Sequence, residues 1–308
     1  GCETDAPDRV VETHCLCDGC RGLPGIQSLL IQELGGIRKT MQAGIAWVEG
    51  VLPRVNDVRR ESVPVSELVL ALQCGGSDSW SGVTANPVVG LLADRVVGQG
   101  GSVVLSETPE IYGAEHLLAR RAANPPVGQR LLEKVRWWEE YADRMGLQMD
   151  DNRALGNEAG GLTTIYEKSL GAVAKAGSSP LVEVLDYAEQ VQARGLTFMN
   201  APGFDPVAVT GQVAGGCNLV IFTTGRGSVF GFKPAPSIKI SSNSTTYERL
   251  TGDMDLNAGR VLEGESLERV ADDLLDLVVA VASGGPSKSE AQGVGEAEFA
   301  PWNREGTL

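Results

Sequence analysis

The stretch LVLALQCGGSDSWSGVTANP, residues 68–87, sets the reading of the fold. Its apolar opening is short and continuous, which predicts a buried strand at 68–72. Cys74, Gly75 and Gly76 end that run, and Ser77, Asp78, Trp80 and Ser81 crowd the turn that follows. Asn86-Pro87 predicts a helix start, because proline is preorganised for a first helical turn. Glycines let a backbone approach a ligand, and successive N–H groups can cradle an anion. From composition alone, an ordinary Gly/Ser turn reads equally well.

The same alternation runs outward along the chain. Short apolar segments predict strands at 102–106, 181–185, 196–199, 218–223 and 238–241. Helical spacing predicts helices at 88–97, 115–122, 129–145, 165–176, 207–216 and 267–282. Alternating strands and helices predict an α/β fold: an open, largely parallel sheet of βαβ units with helices on both faces. In such sheets the loops leaving the carboxyl ends of strands carry the site. The junctions of interest are therefore 73–87, 106–116 and 223–233. Gly35-Gly36 should split residues 26–51 into two elements, and 150–161 reads as a polar loop over the site. The expected domains are a Cys-rich segment with a helical lead-in (1–62), an α/β catalytic domain (63–285) and a glycine- and acid-rich tail (286–308).

The chain has 308 residues and a net charge of −14. That charge argues against a nucleic-acid partner, since phosphates attract basic surfaces. No apolar run approaches the roughly 20 residues of a membrane span, and no basic-then-apolar leader opens the sequence. Six cysteines in a chain of this length are not a disulfide scaffold, so reduced thiols in the cytoplasm are expected. His14, Cys15, Cys17 and Cys20 form one dense arm, where a structural zinc site has two.

The second junction carries Glu107, Glu110 and Glu115, followed by His116, one of two histidines. Carboxylate plus imidazole suits proton transfer or metal binding, although a solvated loop would look the same. In the third junction Arg226 lies between glycines, where a guanidinium can clamp a carboxylate.

Together with AGGLTTIYEKSLGAVAKAGSS (159–179), NAPGFDPVAVTGQVAGG (200–216) and DMDLNAG (253–259), these junctions resemble the altronate/galactarate dehydratase family. The form ETPEIYGAEHLL is more similar to the altronate branch, and IQELGGIRKTMQAGI (31–45) also looks like a family segment. The resemblance implies a hydro-lyase converting a sugar acid to a 2-keto-3-deoxy acid, with iron as cofactor. It implies a small sugar-acid substrate and a small N-terminal domain, which could be a separate subunit. A homo-oligomer is the expected state, with apolar loops such as Val229–Phe232 contributing to its interface. Alternatives of the same likeness are the large subunit of a sulfolactate sulfo-lyase and a non-catalytic binding subunit.

β-Elimination needs a base for the α-proton, positive charge for the enediolate and an acid for the leaving hydroxyl. The expected acid and base residues are His116, then Glu110, then Lys168, the last if desolvation lowers its pKa. Gly75, Gly76, Ser77, Asp78, Asn157 and Arg226 are expected to bind substrate. By family likeness Cys2 and Cys74 are expected to ligate iron, as Fe2+ or an iron–sulfur cluster, with Mn2+ as the other candidate. Three words depart from the family pattern: the 152–161 loop lacks two prolines and has Glu158 where a lysine is expected, Ala258 replaces a cysteine, and Ser241-Ser242-Asn243 stand where ATN is usual. An anion at 158 beside an anionic substrate would be unfavourable.

Overall fold

The computed structural model describes residue 27, residues 29–153 and residues 155–303. Cys2 and the 14–20 thiol cluster lie outside the described residues. The chain divides into two compact units, Gly1–Val63 and Pro64–Leu308. In the described part of the first, α1 (Ile31–Leu34) and α2 (Ile37–Asn56) are separated at Gly35, which has φ +81°. That left-handed conformation costs glycine little and other residues more, so the expected break is real.

The second unit is built on seven strands: β1 (Val69–Cys74), β2 (Ser102–Ser106), β3 (Leu181–Leu185), β4 (Gly195–Met199), β5 (Leu219–Thr224), β6 (Ser237–Ser241) and β7 (Leu256–Asn257). They form one sheet in the order β3-β4-β2-β1-β5-β6-β7. Every neighbouring pair is parallel. The principal helices are α3 (Ala85–Gly98), α4 (Glu115–Ala119), α5 (Pro125–Arg144), α6 (Leu155–Ala159), α7 (Ile165–Ala174), α8 (Asp205–Ala214), α9 (Ser244–Arg249), α10 (Leu267–Ala282) and α11 (Lys288–Ala291). The fold is the expected open α/β sheet.

Why the strands read as unbroken apolar runs is visible in β1. Leu70 and Leu72 point into a core shared with α3, α5, α7 and α10. Ala71 points the other way, into a core with Val209 of α8 and with Phe222, Phe230 and Phe232. Both faces are buried, as parallel sheets require. Phe230 stacks on Phe222 at 4.8 Å between centroids. Of the loop expected at an interface, only Val229 is freely exposed; Phe230 and Phe232 belong to the core.

Helix ends obey local chemistry. Asn124 accepts from Val127 N at 3.1 Å and Pro125-Pro126 fill the first turn, so α5 begins four residues earlier than its apolar spacing suggested. Residues 286–303, expected as a tail, pack onto the domain. Ser287 and Glu290 cap α11 reciprocally, Ser289 donates to Phe230 O at 3.1 Å, and Trp302 stacks on Trp138 at 5.3 Å. Their glycine-rich composition concealed a capping box and an aromatic anchor. The 150–161 loop is likewise structured, by a 3-10 turn at Met149–Asn152 and by α6. No helix among the described residues is long and apolar enough to cross a membrane.

α7 and the residue that caps its carboxyl end, Lys175, carry two lysines of the site, and the helix is held against α3 by backbone contact. A Cβ on Gly90 would lie 2.3 Å from Ala174 O. The obstacle is backbone, which cannot swing away. Gly90→Ala is therefore expected to lower stability by about 1–3 kcal/mol, read as an earlier midpoint in urea unfolding; an unchanged midpoint would show that α3 and α7 are not packed this tightly.

Candidate active site

From β1 the chain moves outward to β2 on one side; from β5 it moves outward to β6 on the other. β1 and β5 are neighbours, so the sheet's switch point lies between them, and a crevice opens beyond their carboxyl ends. Cys74 ends β1 and pairs with Thr223 of β5. The three junctions singled out from sequence leave this edge, and the β4–α8 connection joins them.

Close packing fixes the β1 turn. A Cβ on Gly75 would lie 2.5 Å from both Asp205 Oδ2 and the Phe222 ring, so only glycine fits beneath that carboxylate. Past β2 the chain turns sharply: Glu107 has φ +68°, unusual for a residue with a side chain. Thr108 holds the turn by donating to Asn200 Oδ1 at 2.7 Å, and Trp138 Nε1 donates to the same oxygen at 2.9 Å. With its amide oriented to satisfy both groups, Gln73 donates to Glu107 Oε2 at 3.0 Å. Glu107 Oε1 is buried without a hydrogen-bond partner among the described residues.

The turn delivers Glu110 to the crevice floor. Its Oε2 accepts from Cys74 Sγ at 2.7 Å, and its Oε1 pairs with Lys168 Nζ at 2.9 Å. Lys175 Nζ lies 3.9 Å from Oε2. Lys168 and Lys175 are two helical turns apart, which sends both toward the same side. Lys168 also donates to Asn152 O at 2.6 Å. All these groups are deeply buried.

Burial alone would raise the Glu110 pKa, but Lys168 and Lys175 outweigh it and bring it down to about 2. Burial and the charge of Glu110 push Glu107 well above the usual carboxylate range. Asp205 is raised to about 7, by burial first and then by Glu110. Burial and Glu110 also push the Cys74 thiol up. Both lysines would be lowered by burial, yet their anionic neighbours hold them above the ordinary lysine value. Two ammonium groups, those of Lys168 and Lys175, thus face the ionised carboxylate of Glu110 at the cleft floor, a local concentration of positive charge in a chain that is acidic as a whole.

Over this floor lies a cleft of about 290 Å³. Of the residues singled out in the sequence, Cys74, Gly75, Gly76, Ser77, Glu110, Asn157 and Lys168 line it. Asn157 donates to Ser77 O at 2.9 Å and so ties α6 to the β1 turn. Lys168 is not a lysine with a lowered pKa, because the partner facing it is Glu110; Glu167 instead accepts from Thr163. His116 is exposed on α4 and does not line the cleft. Asp78 is buried and structural: it accepts from Ser81 N and Oγ, from Ser242 Oγ and from Asn243 Nδ2. Arg226 borders an adjoining cleft and donates to Gly156 O at 2.8 Å. Glu158 pairs with Arg153 at 3.1 Å, away from the cleft lining, so it does not oppose an anion there.

Sequence reasoning passed over Lys175 and Asp205 and gave Glu107 no role. A signal existed for Lys175, two turns beyond Lys168 on a predicted helix. Asp205-Pro206 opens α8 as an acid before a first-turn proline. Nothing in the residue order announced the positive φ of Glu107.

The ligand atoms of Cys74, Glu107 and Glu110 lie within 4.8 Å of one another. One sulfur and two carboxylate oxygens form a donor set that could hold a single metal ion, and Glu107 Oε1 beside them has no hydrogen-bond partner among the described residues. They do not supply an iron–sulfur cluster from the described residues. The other described cysteine, Cys217, precedes β5 at the opposite edge of the sheet, about 20 Å away by strand rise.

The family described as "D-galactarate/Altronate dehydratase, C-terminal" matches residues 65–307. The chain is 40% identical over 253 residues to the altronate dehydratase of Bacillus subtilis (strain 168), covering 82% of this chain and 51% of that protein. It is 39% identical over 289 residues to the galactarate dehydratase (L-threo-forming) of Escherichia coli (strain K12), covering 92% and 55%. It is 36% identical over 242 residues to the (2R)-sulfolactate sulfo-lyase subunit beta of Chromohalobacter salexigens, covering 77% and 62%. The chain thus spans about half the length of the two dehydratases and somewhat more of the sulfo-lyase subunit. A buried acid–lysine–thiol floor at the switch point of a parallel sheet, with a match running the length of that sheet, places the chain in the D-galactarate/altronate dehydratase family, as its C-terminal domain.

Proposed function

We propose that this domain dehydrates a sugar acid to a 2-keto-3-deoxy acid by β-elimination of water. The observation that carries the reading is the Glu110 carboxylate held between Cys74 and Lys168 on the floor of the cleft, with Asp205 on its wall. A sugar acid entering the cleft brings a carboxylate, which the ammonium of Lys168 attracts. Asp205, with a pKa near the working range of a general base, takes the proton from the carbon next to that carboxylate. The electron pair moves into the carboxylate as an enediolate, and Lys168 and Lys175 offset the added negative charge. Collapse of the enediolate expels the β-hydroxyl, and the proton now on Asp205 is available to leave with it as water. The resulting enol ketonises to the 2-keto-3-deoxy acid.

Cys74, Glu107 and Glu110 would hold a divalent ion, Fe2+ in this reading with Mn2+ as the other candidate. When bound, such an ion supplies Lewis-acid polarisation of substrate oxygens. Its ligands must lose their protons, which the raised Cys74 and Glu107 resist until a cation is offered. We place the protein in the cytoplasm, with a partner segment or subunit supplying what the relatives carry in their unmatched halves. Identities of 40% and 39% to the two kinds of dehydratase leave the choice of sugar open.

The test is the formation of 2-keto-3-deoxy acid from altronate and galactarate by the full-length protein; sulfite release from sulfolactate instead would reassign it to the sulfo-lyase branch. Asp205→Asn is expected to lower kcat about 10²–10⁴-fold, the usual range for losing a general base. Wild-type kcat/KM should rise with pH through about 7 as Asp205 ionises among Glu107, Glu110, Lys168 and Lys175, and that rise should vanish in the variant. A pH profile unchanged by the substitution would remove Asp205 from the base role. Anaerobic titration with Fe2+ and Mn2+ should show one ion per chain, with affinity lowered at least tenfold in Cys74→Ser; equal affinity would place the metal elsewhere.

A further inference from the structure

A second cleft, of about 370 Å³, adjoins the first along the β1 turn. Gly75, Gly76 and Ser77 line the first cleft, while Asp78 and Trp80, next in the chain, line the second. Gly160, Arg226, Asn243, Thr246 and Arg249 complete the wall that matters here. Arg226 stands at the boundary, its Nη1 donating to Gly156 O, a residue of the first cleft. Arg249 ends α9 and has no ion pair or hydrogen-bond partner for its side chain among the described residues. The one acidic residue of the wall is Asp78, whose two oxygens already receive four hydrogen bonds. Its charge is therefore directed into the protein, and the two guanidinium groups dominate the opening. Trp80 is 48% exposed beside them, an apolar ring of the kind that packs on carbon-bound hydrogens of a sugar chain.

We infer that the second cleft binds the distal carboxylate of a sugar acid that is charged at both ends, with Arg249 as the residue that distinguishes such a dicarboxylate from a monocarboxylate. The inference rests on the dehydratase reading, in which the reacting end of the substrate occupies the first cleft. A planar guanidinium matches a carboxylate edge, and an alcohol at the same place would gain little from it. Discrimination thus resides in a residue of α9, outside the buried floor that would perform the chemistry.

Calorimetric titration of the full chain with galactarate and with altronate tests this without needing turnover. Arg249→Gln should weaken galactarate binding about tenfold to hundredfold and leave altronate binding within about twofold. Arg249→Lys, which keeps the charge and loses the fork, should recover part of the loss. The residue is exposed, so the variants should fold, and a matched melting temperature checks that. Equal weakening for both ligands, an unchanged galactarate affinity, or no wild-type binding of galactarate would each overturn the assignment. Failure of the dehydratase reading gives a different result: ligand binding that discriminates by Arg249, with no keto acid formed from either sugar acid.

Discussion

The structure around the crevice depends on one buried negative charge, that of Glu110. A carboxylate removed from water is tolerated only when paired and hydrogen-bonded. Here one oxygen meets Lys168 and the other meets Cys74, with Lys175 behind. Each partner comes from a different element: the thiol from the end of β1, the acid from the turn after β2, and the lysines from α7 and its carboxyl end. Supplying that one charge with partners therefore fixes the end of the sheet. It also explains the strain at Glu107, whose positive φ turns the chain sharply enough to bring Glu110 inward.

The same arrangement separates the carboxyl groups by protonation. Glu110 is kept ionised by two ammonium groups, Glu107 is raised well above the usual carboxylate range by burial beside Glu110, and Asp205 is raised to about 7. Groups of one chemical type thereby acquire different tasks through environment alone. A proton acceptor, fixed cations and a donor set for a divalent ion are the parts an elimination of water requires.

Much of the fold was legible because its strands are buried on both faces. Runs such as LVIFTT leave no other reading once glycine turns and helical periods flank them, and strands 102–106 and 181–185 were placed to the residue. The site was legible where glycine-rich or acidic words sat at strand ends, which located Cys74, Gly75, Glu110 and Lys168 on one cleft. It was not legible where a role depends on a long-range contact. Asp78 and His116 look as chemical in the sequence as Glu110, yet one is spent on the scaffold and one faces solvent. Residues 286–303 misled for the converse reason: a polar, glycine-rich composition hid two residues, Ser289 and Trp302, whose partners Phe230 and Trp138 lie far away in the chain.

The most direct measurement is the product formed by the wild-type protein from a sugar acid in D2O, followed by NMR. Loss of water through an enediolate and its enol leaves the β-carbon to be protonated by solvent. The account predicts a 2-keto-3-deoxy acid carrying one deuterium at C3, and none of this product from Glu110→Gln under the same conditions. Recovery of the sugar acid unchanged by wild type, or the same product from Glu110→Gln at the wild-type rate, would contradict it.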